Sequence, residues 1–597
     1  MCRRLVSVWA VFLMWSTSSV ADDHLLTIGG GPAANNNQVS LEKNIYYLQR
    51  VLRHLNLDNI HQTILFADGR DEGRDLQFDA QRDPEDIRML LAEILGPSNG
   101  MKYDYRTSIL PIVDGAATPQ AIDFTLKELA ANLHDGDRLI IYFTGHGGRP
   151  RGWTPPDRRH RGRESAAPTS PTASEPNPPR SEKTTDAEDP DQPPEQKKEA
   201  AKPSTNDSGT GETSSGQEPE EAAKSPGKPD TENGEGRETD SERPAQRTRR
   251  RTSFPNNVIH LWNGSNMSVT EWTQKLDKLP TEVPVVAIMV QCYSGGFGNF
   301  IFTGGNPDNG MAMHHRCGFF STVPDRVAAG CTPNVNEADY REYSSYFFEA
   351  ICGESRTGES VERPDYDQDG QTSFLEAHAY TVLNADTIDI PVRTSDIYLR
   401  HFAPARGADA ILTSHSPIDS LLEDSSPIAR AVVEGLSDRF ELHGNDRAKD
   451  VENSIRQIRA DKQRIDGEIR QHRQLVTNIK KEIADALKLK WPELANPWHP
   501  ETARLVNEEP QLLLDAIRSH KRYEDFRNET RTIETLTEES EQKELQIVKL
   551  ERLQYWLETL ALQANLKALN DEKLNAEFQR LVELESSCLV KENHHSE

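Results

Sequence analysis

The feature that most constrains the fold is a proline-rich stretch that interrupts a regular alternation of strand and helix patterns. Residues 149–255 hold nearly half of the chain's 36 prolines and almost no large apolar residues. Such a segment cannot bury enough apolar surface to offset its conformational entropy, so we predict that it is disordered. Because strand and helix patterns resume at residue 256, we predict an insertion within one domain, which a surface loop tolerates at little cost in stability.

The sequence on either side of the insertion predicts an α/β domain in two parts, residues 22–148 and 256–405. Short apolar runs alternate with segments of helical periodicity, which is typical of a mostly parallel sheet with helices on both faces. The predicted strands are 25–28, 62–67, 138–144, 258–261, 283–290 and 317–323, and the predicted helices are 41–55, 122–133, 270–279 and 340–352.

The remainder of the chain is predicted to be a linker, residues 406–436, followed by an all-α coiled-coil region, residues 437–597. Two runs of apolar residues at heptad spacing predict coiled-coil seams, separated by a proline-containing break at 492–510. The first seam is Val451, Ile455, Ile458, Ile465, Ile469, Val476, Ile479 and Ile483, and the second is Phe526, Ile533, Leu536, Ile547, Leu550 and Leu557. The runs either fold back as a hairpin or pair between chains in self-association, and an amphipathic bundle without a supercoil is a further alternative.

Residues 1–21 have the three-part pattern of a secretory signal peptide. Arg3 and Arg4 precede an apolar run, and small residues lead to a predicted cleavage after Ala21. The run is shorter than a membrane-spanning helix, so an uncleaved anchor is the less favoured alternative. We expect a mature chain that is secreted or periplasmic and has no membrane span.

The net charge limits the classes of partner that the chain can bind, and the number of cysteines indicates whether all of them can form disulfides. The chain has 69 Lys and Arg residues against 96 Asp and Glu residues, a net charge of −27. A protein that binds a phosphate backbone needs a basic face, so we expect no nucleic-acid partner. Of the 6 cysteines, Cys2 leaves with the signal peptide. An odd number remains, and at least one thiol is predicted to be free.

Two predicted strands end at residues that can perform nucleophilic catalysis. One buried run leads into His146-Gly147, and a second leads into Cys292, which glycines follow. In open α/β sheets, sites form beyond the carboxyl ends of the strands, so the imidazole and the thiol face each other if these strands are neighbours. A nearby imidazole activates a thiol. The backbone amides of Gly147 and Cys292 are candidate donors of an oxyanion hole.

These motifs resemble those of the caspase/legumain group of cysteine peptidases. The resemblance covers roughly residues 24–148 and 256–402, and it is carried by the run into His146-Gly147 and by Gln291-Cys292-Tyr293-Ser294-Gly295-Gly296. The Cys-x-Ser-Gly element is more similar to legumain and metacaspases than to animal caspases. The resemblance implies a caspase-like fold, a His/Cys dyad, a thioester intermediate and endopeptidase activity on a protein or peptide substrate.

Substrate specificity does not transfer with the resemblance. Metacaspase-like members usually carry an acid two places before the cysteine, where this chain has Val290. Legumain-like members have an arginine in the first strand-to-helix segment, and residues 37–42 contain none. Two alternatives stay open: a catalytically silent scaffold assembled by the coiled coil, and a transamidase or peptide ligase that uses the same dyad.

A second motif, residues 365–376, fits the D-x-D-x-D-G-x5-E pattern and resembles an EF-hand calcium loop. Calcium takes about six to eight oxygen ligands. The predicted ligands are Asp365, Asp367, Asp369, the carbonyl of Gln371 and a bidentate Glu376. No partner loop is visible, so a structural rather than a sensing role is expected. An acidic surface turn without metal is the alternative.

The insertion begins directly after His146-Gly147-Gly148, at the mouth of the predicted site. An extended chain there can enter a peptidase cleft. We therefore predict a self-cleaved or inhibitory segment, with a tolerated spacer as the alternative.

Overall fold

A computed structural model describes residues 22–96, 102–150, 254–405, 407 and 409–589 of the chain. The predicted signal peptide lies outside these residues, as does nearly all of the predicted disordered insertion. The described residues belong to one compact unit.

The strands and helices alternate through the two predicted parts of the α/β domain, and helices alone follow them. The strands are β1 (Asp23–Gly30), β2 (His61–Phe66), β3 (Leu76–Asp79), β4 (Tyr103–Arg106), β5 (Arg138–Gly148), β6 (Val258–Leu261), β7 (Ser265–Ser268), β8 (Val285–Val290), β9 (Arg316–Phe320) and β10 (Val392–Arg393). The helices are α1 (Val39–His54), α2 (Ile87–Leu95), α3 (Pro119–Asn132), α4 (Val269–Leu276), α5 (Tyr343–Cys352), α6 (Phe374–Asn384), α7 (Thr394–Phe402), α8 (Ile418–Leu422), α9 (Pro427–Arg439), α10 (Arg447–Lys490), α11 (Pro500–Glu508), α12 (Pro510–Arg518), α13 (Tyr523–Ala568) and α14 (Glu572–Glu585). Each predicted strand and helix of the α/β domain is confirmed in type.

The central sheet is mostly parallel, as predicted. Its strand order is β10-β9-β8-β5-β1-β2, and only the pairing of β10 with β9 along this path is antiparallel. The hairpin of β6 and β7 extends the sheet at the end of β5, where His146 pairs with His260. Strands β3 and β4 form a separate antiparallel pair.

Strand β5 shows why the sheet is covered on both faces. Its alternate residues Leu139, Ile141 and Phe143 belong to one apolar cluster, together with residues of α3 and α4. Ile140 and Tyr142 belong to a second cluster, together with residues of α1 and α5. Since successive side chains of a strand point to opposite faces, an unbroken apolar run requires helices on both sides.

Helices α10 and α13 pair antiparallel within the chain. Arg459 in the first third of α10 binds Glu551 in the second half of α13 at 3.3 Å, and Glu482 near the end of α10 binds Arg522 just before α13 at 3.0 Å. Most of the predicted seam residues of α10 are buried. Between the two helices, α11 and α12 make the return, and α2 packs there in one apolar cluster with them. The structure therefore takes the hairpin alternative.

The prediction of a linker over 406–436 is wrong from residue 418, where α8 begins and α9 follows. Ser426 caps α9 by accepting a hydrogen bond from the amide of Ala429 at 3.2 Å. Apolar residues at helical spacing, Ile428, Val432, Val433 and Leu436, are buried. The α/β domain and the C-terminal helices also share one core, because residues of α9 and α13 belong to the same cluster as Phe143.

Arg138, the first residue of β5, connects the two ends of the described chain. Its Nε donates to Oδ1 of Asp23 at 2.9 Å, and its Nη1 donates to Oγ of Ser587 at 3.2 Å.

Within the described residues, no helix combines the length and the apolar character needed to cross a membrane.

Candidate active site

The two strands that carry the predicted catalytic residues are direct neighbours. Strands β5 and β8 pair in parallel, with Thr144 opposite Val290. His146 and Cys292 lie two residues beyond this pair, so both lie at the same carboxyl edge of the sheet. The main chains are in close contact there, since a Cβ added to Gly147 would lie 2.2 Å from the carbonyl oxygen of Cys292. The two strand ends that carry His146 and Cys292 therefore lie side by side, and only glycine fits at position 147.

The imidazole of His146 is oriented by the segment between β1 and α1. Its Nε2 lies 2.8 Å from the carbonyl oxygen of Asn36 and 2.9 Å from Oε1 of Gln38. Both partners are acceptors, so Nε2 carries the hydrogen and Nδ1 is left as the nitrogen that can take up a proton. The tautomer suits a general base that acts through Nδ1.

The thiol of Cys292 lies against the segment that follows β9. Its Sγ is 3.4 Å from the amide nitrogen of Ala328, which donates to it. The next residue, Tyr293, has φ +62°, in the left-handed region that non-glycine residues seldom adopt. Its amide donates to the carbonyl of Arg326 at 2.8 Å. A sharp turn thus follows the cysteine and is held by residues 326–328.

Asn257, just before β6, ties this turn to the same segment. Its Nδ2 donates to the carbonyls of Tyr293 at 2.6 Å and Pro324 at 2.9 Å. Gly296 leaves room for it, because an added Cβ would lie 2.5 Å from that nitrogen. The glycines after Cys292 therefore serve close packing beneath the turn.

Burial governs the protonation of both reactive groups. It raises the pKa of the Cys292 thiol above its ordinary value of 9.0, an effect that the Ala328 amide opposes and the charge of Asp389 reinforces. It also lowers the pKa of His146 below its ordinary value of 6.5, and nearby His260 acts in the same direction. At pH 7 the thiol and the imidazole are consequently both neutral.

A buried polar network supports the end of β5. Glu342 is 1 % exposed and accepts from Nη2 of Arg356 at 2.6 Å and from Nδ2 of Asn44 at 3.0 Å. The same Nδ2 donates to Oγ1 of Thr144 at 2.9 Å. Two polar groups next to Cys292 lack such partners among the described residues: both side-chain polar atoms of Gln291 and Oδ2 of Asp389.

The predicted calcium loop brings together three of its five predicted ligands. Carboxylate oxygens of Asp365, Asp367 and Asp369 lie within 4.8 Å of one another. The turn at Gly370, with φ +85°, lets its amide donate to Oδ2 of Asp365 at 3.1 Å. The amide of Gln371 donates to Oδ1 of Asp369 at 2.8 Å.

Glu376 does not join this group. Its Oε1 accepts from the amide of Tyr366 at 2.6 Å, and its Oε2 accepts from the amide of Ser373 at 3.0 Å. The physical reason is that Ser373 and Glu376 form a capping box at the start of α6. In this arrangement Glu376 closes the loop through hydrogen bonds.

The sequence did not predict the residues that orient His146 and Cys292. Asn36 and Ala328 act through backbone atoms, and Asn257 and Asp389 are single polar residues without a motif. Comparison with known proteins identifies no further site residue, because no family model, no curated protein and no solved structure matches the chain.

Proposed function

We propose that the chain is a cysteine endopeptidase of caspase/legumain type, with Cys292 as nucleophile and His146 as general base. The observation that carries the proposal is the contact between the main chains of Gly147 and Cys292 at the carboxyl edge of two neighbouring parallel strands. The orientation of His146, with Nε2 bound to the carbonyl of Asn36, supports the same roles. The mostly parallel sheet is consistent with a caspase-like fold.

The proposed reaction passes through a thioester. Sγ of Cys292 attacks the carbonyl carbon of the scissile peptide bond as the thiol proton passes to Nδ1 of His146. The amides of Gly147 and Cys292 are proposed to stabilise the resulting oxyanion. His146 then returns the proton to the leaving amine. In the second half, His146 takes a proton from water, which attacks the thioester and releases the carboxylic acid and the thiol.

The protonation states make general-base catalysis essential to this proposal. A thiolate–imidazolium pair would need the pKa of Cys292 to lie below that of His146, and burial shifts the two values apart. The proton must therefore move as the carbon–sulfur bond forms. We expect a bound substrate to favour this proton transfer. The oxyanion that forms on the substrate accepts hydrogen bonds from the two amides, and these bonds stabilise the product of the attack.

A peptide-library cleavage assay tests the proposal. We expect the wild type to cleave peptides and Cys292→Ala to be inactive. The matched control is Cys331→Ala, which removes a nearby thiol that is exposed and donates to the carbonyl of Gly145 at 3.6 Å. Retained cleavage in Cys292→Ala, or loss in the control alone, would contradict the dyad. Product analysis with an added amine separates hydrolysis from transamidation, and no cleavage at all would favour the scaffold alternative.

We further propose that residues 365–376 bind one calcium ion in a structural role. The three clustered carboxylates fit a hard cation that prefers oxygen ligands, and the carbonyl of Gln371 is the proposed fourth ligand. The motif assigns a fifth to Glu376, which the capping box engages in this structure. The ion would offset the repulsion among Asp365, Asp367 and Asp369 and would take no part in the reaction.

Export and processing are proposals that concern residues outside the described part of the chain. If the signal peptide is removed as proposed, N-terminal sequencing of the secreted protein begins at Asp22. If the insertion is self-cleaved, mass spectrometry finds new termini between residues 151 and 253 in the wild type and not in Cys292→Ala. The hydrogen bonds between β5 and both β6 and β8 would keep the two parts together after such a cut.

A further inference from the structure

The thiol of Cys292 is positioned by a covering segment, residues 322–329, that follows β9. Arg326 accepts a hydrogen bond from the amide of Tyr293 through its carbonyl, and the amide of Ala328 donates to Sγ. The carbonyl of Thr322 accepts from the amide of Gly295 at 2.7 Å. The covering segment thus contacts the cysteine and the turn beyond it.

Asp389 fixes the end of the covering segment from within the protein. It is 0 % exposed, and its Oδ1 accepts from the amide of Ala329 at 2.8 Å. Ala329 is the neighbour of the residue whose amide donates to Sγ. Asp389 also contributes to the raised pKa of Cys292, after burial itself. This carboxylate is therefore close enough to act on the thiol through space as well as through the segment.

The loop that carries Asp389 is held in turn by Arg552, on α13 of the C-terminal hairpin. Arg552 is 1 % exposed, and its Nε donates to the carbonyl of Asp389 at 2.8 Å. Its two other nitrogens donate to the carbonyls of Thr387 at 2.9 Å, Ala385 at 2.8 Å and Val382 at 3.0 Å. One guanidinium therefore sets the path of the chain from the end of α6 to Asp389.

A second connection joins the covering segment directly to α13. The guanidinium of Arg326 binds Glu551 at 2.8 Å and Glu544 at 3.2 Å. Glu551 also binds Arg459 of α10 at 3.3 Å. Both helices of the hairpin are thus linked to the segment that lies on the cysteine.

We propose that Asp389 and Arg552 are positioning residues for Cys292, and that the C-terminal hairpin is part of the machinery of the site rather than an assembly module. The inference rests on the proposed function. Neither residue would touch the substrate. They act by holding the amides and carbonyls of the covering segment where the nucleophile requires them.

Substitutions at Asp389 separate its two effects on Cys292. Asp389→Asn keeps an oxygen acceptor for the amide of Ala329 and removes the charge. We expect it to lose less activity than Asp389→Ala and to shift the alkylation profile of Cys292 to lower pH. Asp389→Ala removes the acceptor as well, and we expect kcat to fall by about 10- to 100-fold with a smaller change in KM, since a misplaced reacting group costs rates of that order. The charge of Asp389 raises the pKa of Cys292, and the charges of Arg552 and Arg326 oppose the rise that burial causes in the pKa of Asp389 itself. Cys331 is a further titratable thiol near Cys292.

A second set of variants covers the case in which a substitution at Asp389 or Arg552 prevents folding. The double variant Glu544→Gln, Glu551→Gln releases Arg326 from α13, and it also removes the ion pairs of Glu551 with Arg459 and of Glu544 with Lys462. We expect a several-fold loss of kcat with only a small drop in melting temperature. The control is Glu558→Gln, also on α13, which binds Arg400 at 3.2 Å and has a half-exposed side chain. This control should behave as the wild type. For Arg552, the conservative Arg552→Lys should recover part of the activity that Arg552→Met loses.

Two readouts keep this inference distinct from the proposed function. The first is peptide cleavage, and the second is the pH profile of Cys292 alkylation by iodoacetamide, located by peptide mapping. If the wild type cleaves nothing but the Asp389 variants still shift the alkylation profile as described, the positioning inference stands and the peptidase proposal fails. If Asp389→Ala keeps both the wild-type kcat and the wild-type alkylation profile, the positioning inference is overturned.

Discussion

The two groups that are proposed to react, the Cys292 thiol and the His146 imidazole, are each shifted toward the neutral form by burial. For the thiol, a raised pKa means a smaller thiolate fraction at any given pH than in a free cysteine. We expect alkylation of Cys292 by iodoacetamide to be slow at pH 7 and to rise only above pH 9, measured by peptide mapping against free glutathione. A plateau of reactivity below pH 7 would instead show a preformed ion pair.

Gly147 offers a second test at this scale. Gly147→Ala would place a Cβ 2.2 Å from the carbonyl oxygen of Cys292, so one of the two main chains must move. We expect a loss of stability of about 1–3 kcal/mol, the usual range for overpacking, and a loss of cleavage. The control is Gly96→Ala, because no atom of the described residues lies within 4 Å of a Cβ at that position. Wild-type melting and cleavage in Gly147→Ala would contradict the close approach of β5 and β8.

The residue scale also shows how far the sequence leads. The sequence predicts His146, Cys292 and Gly147 as site residues, because reactive side chains and glycines at the ends of apolar runs can be recognised in one sequence. It does not predict the partners that orient them, because a carbonyl such as that of Asn36 or an amide such as that of Ala328 is present in nearly every residue. Which backbone group arrives there is decided by how distant segments pack.

Among the local elements, the acidic loop before α6 has two possible uses for Glu376, and two variants distinguish them. If Glu376 serves the capping box, Glu376→Gln leaves one acceptor oxygen for the amides of Tyr366 and Ser373, so one hydrogen bond is lost and stability falls by about 0.5–1.5 kcal/mol both in calcium and in chelator. If it is a calcium ligand, the loss appears in calcium only. We expect the first result for Glu376→Gln and the second for Asp367→Asn, measured by thermal melting. A melting temperature of the wild type that is the same in calcium and chelator would exclude the metal.

The strands and helices are predictable wherever the apolar pattern is long and regular. Strand β5 shows an unbroken apolar run, and α10 shows a heptad seam. The choice between a hairpin and pairing between chains is not predictable, because the same seam serves both. What decides it is the return through α11 and α12, where α2 from the α/β domain joins the apolar cluster. Helix α9 was not predicted because its apolar stripe is short. In addition, the proline that follows its capping residue Ser426 is also typical of a linker.

For the molecule as a whole, the shared core predicts one cooperative unfolding transition. Trp556 of α13 is 2 % exposed and packs in the same cluster as the sheet residues, with the guanidinium of Arg393 over its ring at 5.1 Å. We expect Trp556→Ala to destabilise the entire chain by about 3–5 kcal/mol.

Differential scanning calorimetry measures the loss of stability in Trp556→Ala. The matched control is Trp498→Ala, because Trp498 is 91 % exposed. Its loss should change stability by less than about 0.5 kcal/mol. Two resolved transitions, only one of which moves in Trp556→Ala, would show that the C-terminal helices fold as a separate body.

Arg138 has a consequence for connectivity, because Asp23 and Ser587 both bind its guanidinium. The two ends of the described chain therefore lie close together, because both contact the first residue of the central strand. Where the inserted stretch leaves and rejoins the sheet, the pairing of Gly148 with Val258 brings the chain back to the strand that it left. A circular permutant that joins residue 589 to residue 22 through a short flexible linker, and opens between residues 150 and 254, would keep every contact described above. If this permutant folds, the order in which the segments follow one another along the chain does not determine the fold.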